Sequence, residues 1–200
     1  MFALTIDQHR SRRGDDLVPG LLDTLADIPT VLPFERTVGD EVQGLLDDPQ
    51  AVLAALLLVL RDGNWSVGLG IGPVETPLPA SVREARGPAL LDARAAVEAS
   101  KTAGEVRVAV AAASDPVGAA DVEAVARLIG TLVSRRTATQ WATIDAVHAT
   151  PPHRAAARAL GVSPQNVSQA LGTSAVAVER AGYPVLVRLL DRVEAACTPA

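Results

Sequence analysis

Two groups of residues in this 200-residue chain have types and spacings that could do chemistry. The first is acidic. Asp7 ends the alternating segment Phe2-Ala-Leu-Thr-Ile-Asp7, and Asp40 and Glu41 sit on a Gly39-Asp40 turn. Two or three convergent carboxylates are what Mg²⁺ needs when phosphate oxygens and waters complete its octahedron. The same residues also suit a tight hairpin turn and a solvated strand end, and the spacing by itself favours that plainer use.

The second group is polar and lies on His153-Arg-Ala-Ala-Ala-Arg-Ala-Leu160, Gly161-Val-Ser163 and Pro164-Gln-Asn-Val-Ser-Gln-Ala-Leu171. A helix-turn-helix needs a small residue where its helices cross, a glycine at the turn, and apolar residues on the inner side of the second helix. Ala157, Gly161, and then Val162, Val167 and Ala170 stand at those places. Ser163 is a good N-cap that is also expected on the DNA side, and Pro164 is a good first helical residue. Gln165, Asn166, Ser168 and Gln169 are left pointing outward, with amides and hydroxyls able to read base edges or hold phosphates. Arg154, Arg158 and His153 would lie near the DNA backbone. A plain helical hairpin with a polar face is the competing reading. The agreement of cap, turn, crossing residue and polar face favours DNA.

Ahead of this unit, the pattern predicts strand, helix, strand, strand, helix, strand, helix, strand. Phe2–Asp7 alternates as a strand, and Leu17, Val18, Leu21, Leu22, Leu25 and Ile28 form a helical stripe behind Asp15 and Asp16. Strands at 34–38 and 41–46 flank the turn, and Asp48-Pro49 starts a helix that stops near Gly63. Trp65-Ser-Val-Gly-Leu-Gly-Ile-Gly72 has one apolar face and one nearly bare face, which calls for a closely packed helix or ligand. A helix at about 87–101 and a strand at 105–113 follow. The first six elements are those of a split βαβ, ferredoxin-like sheet with its helices on one face.

Asp115-Pro116 opens a second, helical part. Val122, Val125, Ile129, Leu132 and Val133 share one face, a helix is expected over 139–148, and Pro184 is expected to begin a final helix after a break at 182–184. The expected fold is therefore α+β. A ferredoxin-like sheet domain (1–114) precedes an all-α domain (115–200) with its helix-turn-helix at about 153–172.

Composition bounds the partners. The apolar fraction is 48% and aromatics are 2%, so the core must be built from Ala, Val and Leu. The single cysteine, Cys197, excludes a disulfide framework, and His9, His148 and His153 lack metal-ligand spacing. The early Asp7 does not suit a signal peptide, and the ten-residue apolar run 51–60 is too short to span a bilayer. A cytoplasmic protein with no membrane partner is expected. The formal charge is −5, yet residues 1–130 carry a net −8 and residues 131–200 a net +3. A local +3 holds a phosphate backbone weakly, which predicts a homodimer on double-stranded DNA.

The chain resembles the SatD family of bacterial proteins, in particular its actinobacterial members labelled MarR-type regulators. Ile6-Asp7, Ser11-Arg12, Val38-Gly-Asp-Glu-Val-Gln-Gly44, Gly68 to Gly72 and Gly87-Pro-Ala-Leu-Leu-Asp-Ala-Arg94 carry the likeness. The N-terminal half is in turn similar to the palm-like domain of diguanylate and class III nucleotidyl cyclases. That similarity implies metal-holding roles for Asp7, Asp40 and Glu41, with Mg²⁺ and a small nucleotide as ligands. Val38 and Val42 replace the glycine and phenylalanine of the cyclase signature, and Lys101 is the only lysine. Arg12, Arg13 or Arg94 would then have to grip the phosphates. The resemblance thus implies a regulator with a degenerate sensor or scaffold domain; the alternative is a metal-dependent nucleotidyl or phosphoryl transferase using Asp7, Asp40 and Glu41. No alternating strand pair follows the readout helix, so a wingless all-helical module is expected rather than a winged one.

Overall fold

A computed structural model of the chain describes residues 1–9 and 14–197. Its centre is β1 (Phe2–Gln8), a strand buried on both faces. β3 (Glu41–Leu46) pairs with one side of it and β4 (Trp65–Ile71) with the other, both antiparallel. β2 (Leu32–Arg36) adds antiparallel to β3, and β5 (Val108–Ala111) adds parallel to β4. The order across this five-stranded mixed sheet is β2-β3-β1-β4-β5, and the fold is α+β.

Register divides the strands into two faces. Ile6 stands opposite both Val42 and Val67, so Phe2, Leu4 and Ile6 share a face with the apolar residues of β3 and β4. Four helices form the main core with that face: α1 (Val18–Leu25), α2 (Pro49–Asp62), α4 (Pro116–Ser134) and α8 (Val176–Cys197). Asp48 starts α2 as expected, its carboxylate accepting from the Gln50 N–H at 2.8 Å, and left-handed Gly63 ends it.

The second face holds Ala3, Thr5 and Asp7 with Gly68 and Gly70, and α3 (Pro88–Ser100) lies directly on the glycines. A Cβ on Gly68 would stand 2.2 Å from the Val97 nitrogen, and one on Gly70 would stand 2.0 Å from the Ala89 carbonyl oxygen. The bare strand face is therefore filled by helix backbone. Helices consequently cover both faces, where the sequence led us to expect one. The physical reason is the β4-α3-β5 crossover, because joining two parallel strands requires a connection across a face.

The expected boundary at 114/115 falls in the loop between β5 and α4. Both α4 and α8 join the sheet's core, through Val122, Ala126 and Ile129 and through Leu186, Leu190 and Val193. Between them, α5 (Ala138–Ala149), α6 (His153–Leu160) and α7 (Pro164–Thr173) pack on one another as a three-helix unit. Pro184 does not begin a helix. It lies inside a continuous α8, where the packing of Leu186 and Leu190 outweighs the one backbone hydrogen bond that proline removes. Among the described residues, no helix is long and apolar enough to cross a membrane.

Candidate functional site

The α6–α7 unit is built by local rules. Gly161 ends α6 at φ +66°, the left-handed region that favours glycine, and its N–H donates to the Arg158 carbonyl at 3.2 Å. The Val162 N–H reaches back to the Ala157 carbonyl at 3.0 Å, which turns the chain sharply. The Ser163 hydroxyl then accepts from the Asn166 N–H at 3.1 Å, and Pro164 opens α7. Ala157 and Val167 are buried where the two helices meet. Val162 departs from its expected inner position and is 42% exposed, because its backbone, not its side chain, makes the turn.

The residues expected to face DNA are exposed: Arg154 and Arg158 on α6, Ser163 at the cap, and Gln165, Asn166, Ser168 and Gln169 on α7. Ser168 is engaged with its own helix, its hydroxyl donating to the Pro164 carbonyl at 3.1 Å. His153 is exposed at the start of α6. From residue 146 to residue 178 the chain has no acidic residue, so no carboxylate from this stretch opposes a phosphate backbone.

Polar contacts that sequence reasoning missed hold this unit on the sheet body. Arg61 of α2 grips Asp145 of α5 through two hydrogen bonds, at 2.8 and 2.5 Å. The guanidinium groups of Arg61 and Arg136 both lie over the Trp141 ring, their central carbons 4.3 and 4.8 Å from its centre. Arg136, just past the end of α4, is buried. It donates to the Ser174 carbonyl at 3.0 Å and pairs with buried Glu179 of α8, which also accepts from the Tyr183 hydroxyl. Burial, and then the hydrogen bond to Glu179, push the Tyr183 pKa upward. Arg61, Arg136, Trp141, Asp145, Glu179 and Tyr183 line a 530 Å³ cavity between α2, α5 and α8. Charged residues in a polar sequence look like solvated surface, so only their placement shows that they form a joint.

The acidic group is brought only partly together. Asp7 and Glu41 are register partners on neighbouring strands, and Asp40 stays on the turn beside them. Lys101, at the end of α3, places its ammonium 2.9 Å from the Asp7 carboxylate and 2.7 Å from that of Glu98. Glu41 accepts from the Thr37 hydroxyl. Among the described residues, no group of three His, Cys, Asp or Glu is gathered as a metal would need. With a lysine on the first-strand acid, these residues do not fit the metal site that the cyclase resemblance implies. Of the arginines expected to hold phosphate, Arg12 and Arg13 lie outside the described residues, and Arg94 is exposed on α3. No protein-family model, curated protein or solved structure matches the chain.

Proposed function

We propose that this chain is a DNA-binding transcriptional regulator in which α6 and α7 form a helix-turn-helix and the sheet body is a non-catalytic scaffold or sensor. One observation carries the reading: the exposed amide and hydroxyl face at the start of α7, set beyond a capped, glycine-turned corner in an acid-free stretch. A readout helix needs donors and acceptors that reach base edges, and it needs carboxylates kept away from phosphates. Gln165 and Asn166 enter the major groove first, Ser168 and Gln169 follow one turn later, and Arg154 and Arg158 stand over the flanking backbone. α8 follows α7 directly, so the module is wingless.

The body is read as ferredoxin-like. The order β2-β3-β1-β4, antiparallel throughout, is that of a split βαβ unit, and β5 extends it by one parallel strand. The Lys101–Asp7 pair argues against metal-dependent nucleotidyl transfer there. The small positive charge of residues 131–200 supports a homodimer on a two-fold site, which doubles the phosphate contacts.

The test is selection from random duplex DNA, followed by affinity measurement on the enriched sequence. Replacing Gln165 and Asn166 by Ala should weaken specific binding roughly 10- to 100-fold while leaving non-specific binding nearly unchanged. Arg154→Gln and Arg158→Gln should weaken both and reduce the salt dependence by about one each. No enriched sequence, or equal losses from the Gln165 and Asn166 changes on specific and random DNA, overturns the reading.

A further inference from the structure

A single helix cannot cover a five-stranded sheet face. A helix is roughly 10 Å across and strands repeat at about 4.8 Å, so α3 over β4 and β5 leaves β3 and β2 uncovered on that side. Residues 73–87 fill part of the space. A 3₁₀ turn (Val82–Glu84) is pinned there by fully buried Val82, and the Ser81 hydroxyl donates to Glu35 of β2 at 2.5 Å. The Glu75 N–H donates to the Arg86 carbonyl at 2.8 Å, which closes the segment on itself. What remains open between this segment and α3 is a cavity of about 400 Å³.

Three arginines line that cavity. Arg83 stands on the pinned turn, Arg86 on the closed segment, and Arg94 on α3, which also lines the cavity with Leu90 and Leu91. Among the described residues, none of the three side chains makes a hydrogen bond or ion pair, and Glu75 is the only carboxylate on the lining. Residues 1–130 carry 19 acidic side chains against 11 basic ones, so three unpaired arginines around one cavity form a local positive patch in an acidic part of the chain. Buried Gln43 of β3 forms the polar floor, its amide fixed by a hydrogen bond to Thr5 at 2.9 Å.

We infer that Arg83, Arg86 and Arg94 form a binding site for a small molecule bearing two or more linked phosphoryl groups. Guanidinium forks match phosphate oxygens in pairs, and three of them around one concavity suit a diphosphate better than a single monoanion. A duplex backbone is the wider alternative, but a concave cavity of this size favours a compact ligand. The site is separate from the α6–α7 unit and does not depend on the DNA-binding reading.

Calorimetric titration of the full chain with inorganic pyrophosphate at about 0.15 M salt tests it, with sulfate and a random DNA duplex as parallel ligands. Pyrophosphate should bind at least tenfold more tightly than sulfate. Arg86→Gln and Arg94→Gln should each weaken it tenfold or more, Arg94→Lys severalfold, and the exposed Arg188→Gln not at all. All these side chains are on the surface, so unchanged melting curves should accompany the losses. Three results overturn the site: no pyrophosphate binding at millimolar concentration, undiminished binding when all three arginines are Gln, or sulfate binding as tightly as pyrophosphate. A triple variant that loses duplex binding but keeps pyrophosphate binding overturns it as well, and assigns the cluster to nucleic acid.

Discussion

The Lys101 ammonium stands 2.9 Å from the Asp7 carboxylate, so the first strand's acid is neutralised by the chain's only lysine. Burial alone would lower the pKa of Lys101, but its hydrogen bonds to Glu98 and Asp7 outweigh it and hold the value above the ordinary 10.5. A raised folded pKa contributes stability that is fully present below the unfolded value and is lost as pH rises through the folded one.

Lys101→Met should therefore lower the melting temperature at neutral pH by about 1–3 °C, as expected for a solvent-screened pair. The gap from the parent protein should close as pH rises above the ordinary lysine value. In the same scans, Mg²⁺ or Mn²⁺ should leave the parent's melting temperature unchanged. A rise in the parent would show that the acids accept a divalent ion despite the lysine.

Gly68→Ala and Gly70→Ala should each destabilise the chain by about 3 kcal/mol or more, because the new methyl meets α3 backbone that no rotamer change can move aside. Gly20→Ala is the control. That glycine lies in α1 with open space at its Cβ position, so the change should be neutral or slightly stabilising. Urea unfolding of the three variants measures the contrast.

At the corner between α6 and α7, Ser163→Ala should cost about 1 kcal/mol through the lost cap. Gly161→Ala should cost about as much through strain at φ +66°, since its Cβ would meet nothing within 4 Å. Gly161→Asn should be milder, because asparagine tolerates that conformation. Both costs should appear as reduced amide protection in α6 and α7 under hydrogen exchange, with β1 and β4 unaffected.

Arg136→Met removes one partner of a buried pair and leaves the Glu179 carboxylate 3% exposed with only the Tyr183 hydroxyl from that network. A loss of about 3–5 kcal/mol is expected. The double variant Arg136→Met, Glu179→Leu should recover much of it, since no charge is then stranded. A double-mutant cycle by denaturant unfolding measures the coupling.

The sequence made the element order legible because each element carries its own periodicity or punctuation. Asp48-Pro49, Ser163-Pro164 and Gly161 do at the backbone what their types require. The bare face of β4 also announced a close neighbour, which is α3. Local signals failed where long-range packing decided the outcome. Pro184 looked like a start, but the buried stripe through Leu186, Leu190 and Val193 carries α8 straight through it. The second sheet face was missed for a similar reason, because only the pairing of β5 beside β4 forces a helix across it. At the acidic strand ends, spacing put Asp7 and Glu41 on neighbouring strands, but nothing local could place Lys101 between Asp7 and Glu98. The arginines at 83 and 86 were overlooked because they lie in irregular chain, where no period marks a shared direction.

The two tryptophans divide the molecule spectroscopically. Trp65 is buried in the sheet, while Trp141 has two guanidinium groups over its ring at the joint that carries the three-helix unit. With either one replaced by Phe, the remaining indole reports on one half alone. Loosening of the three-helix unit, by heat, denaturant or an occupant of the neighbouring cavity, would then appear as a colour change at Trp141 while emission from Trp65 stayed constant. The chain thus carries a built-in gauge of whether its two halves move together.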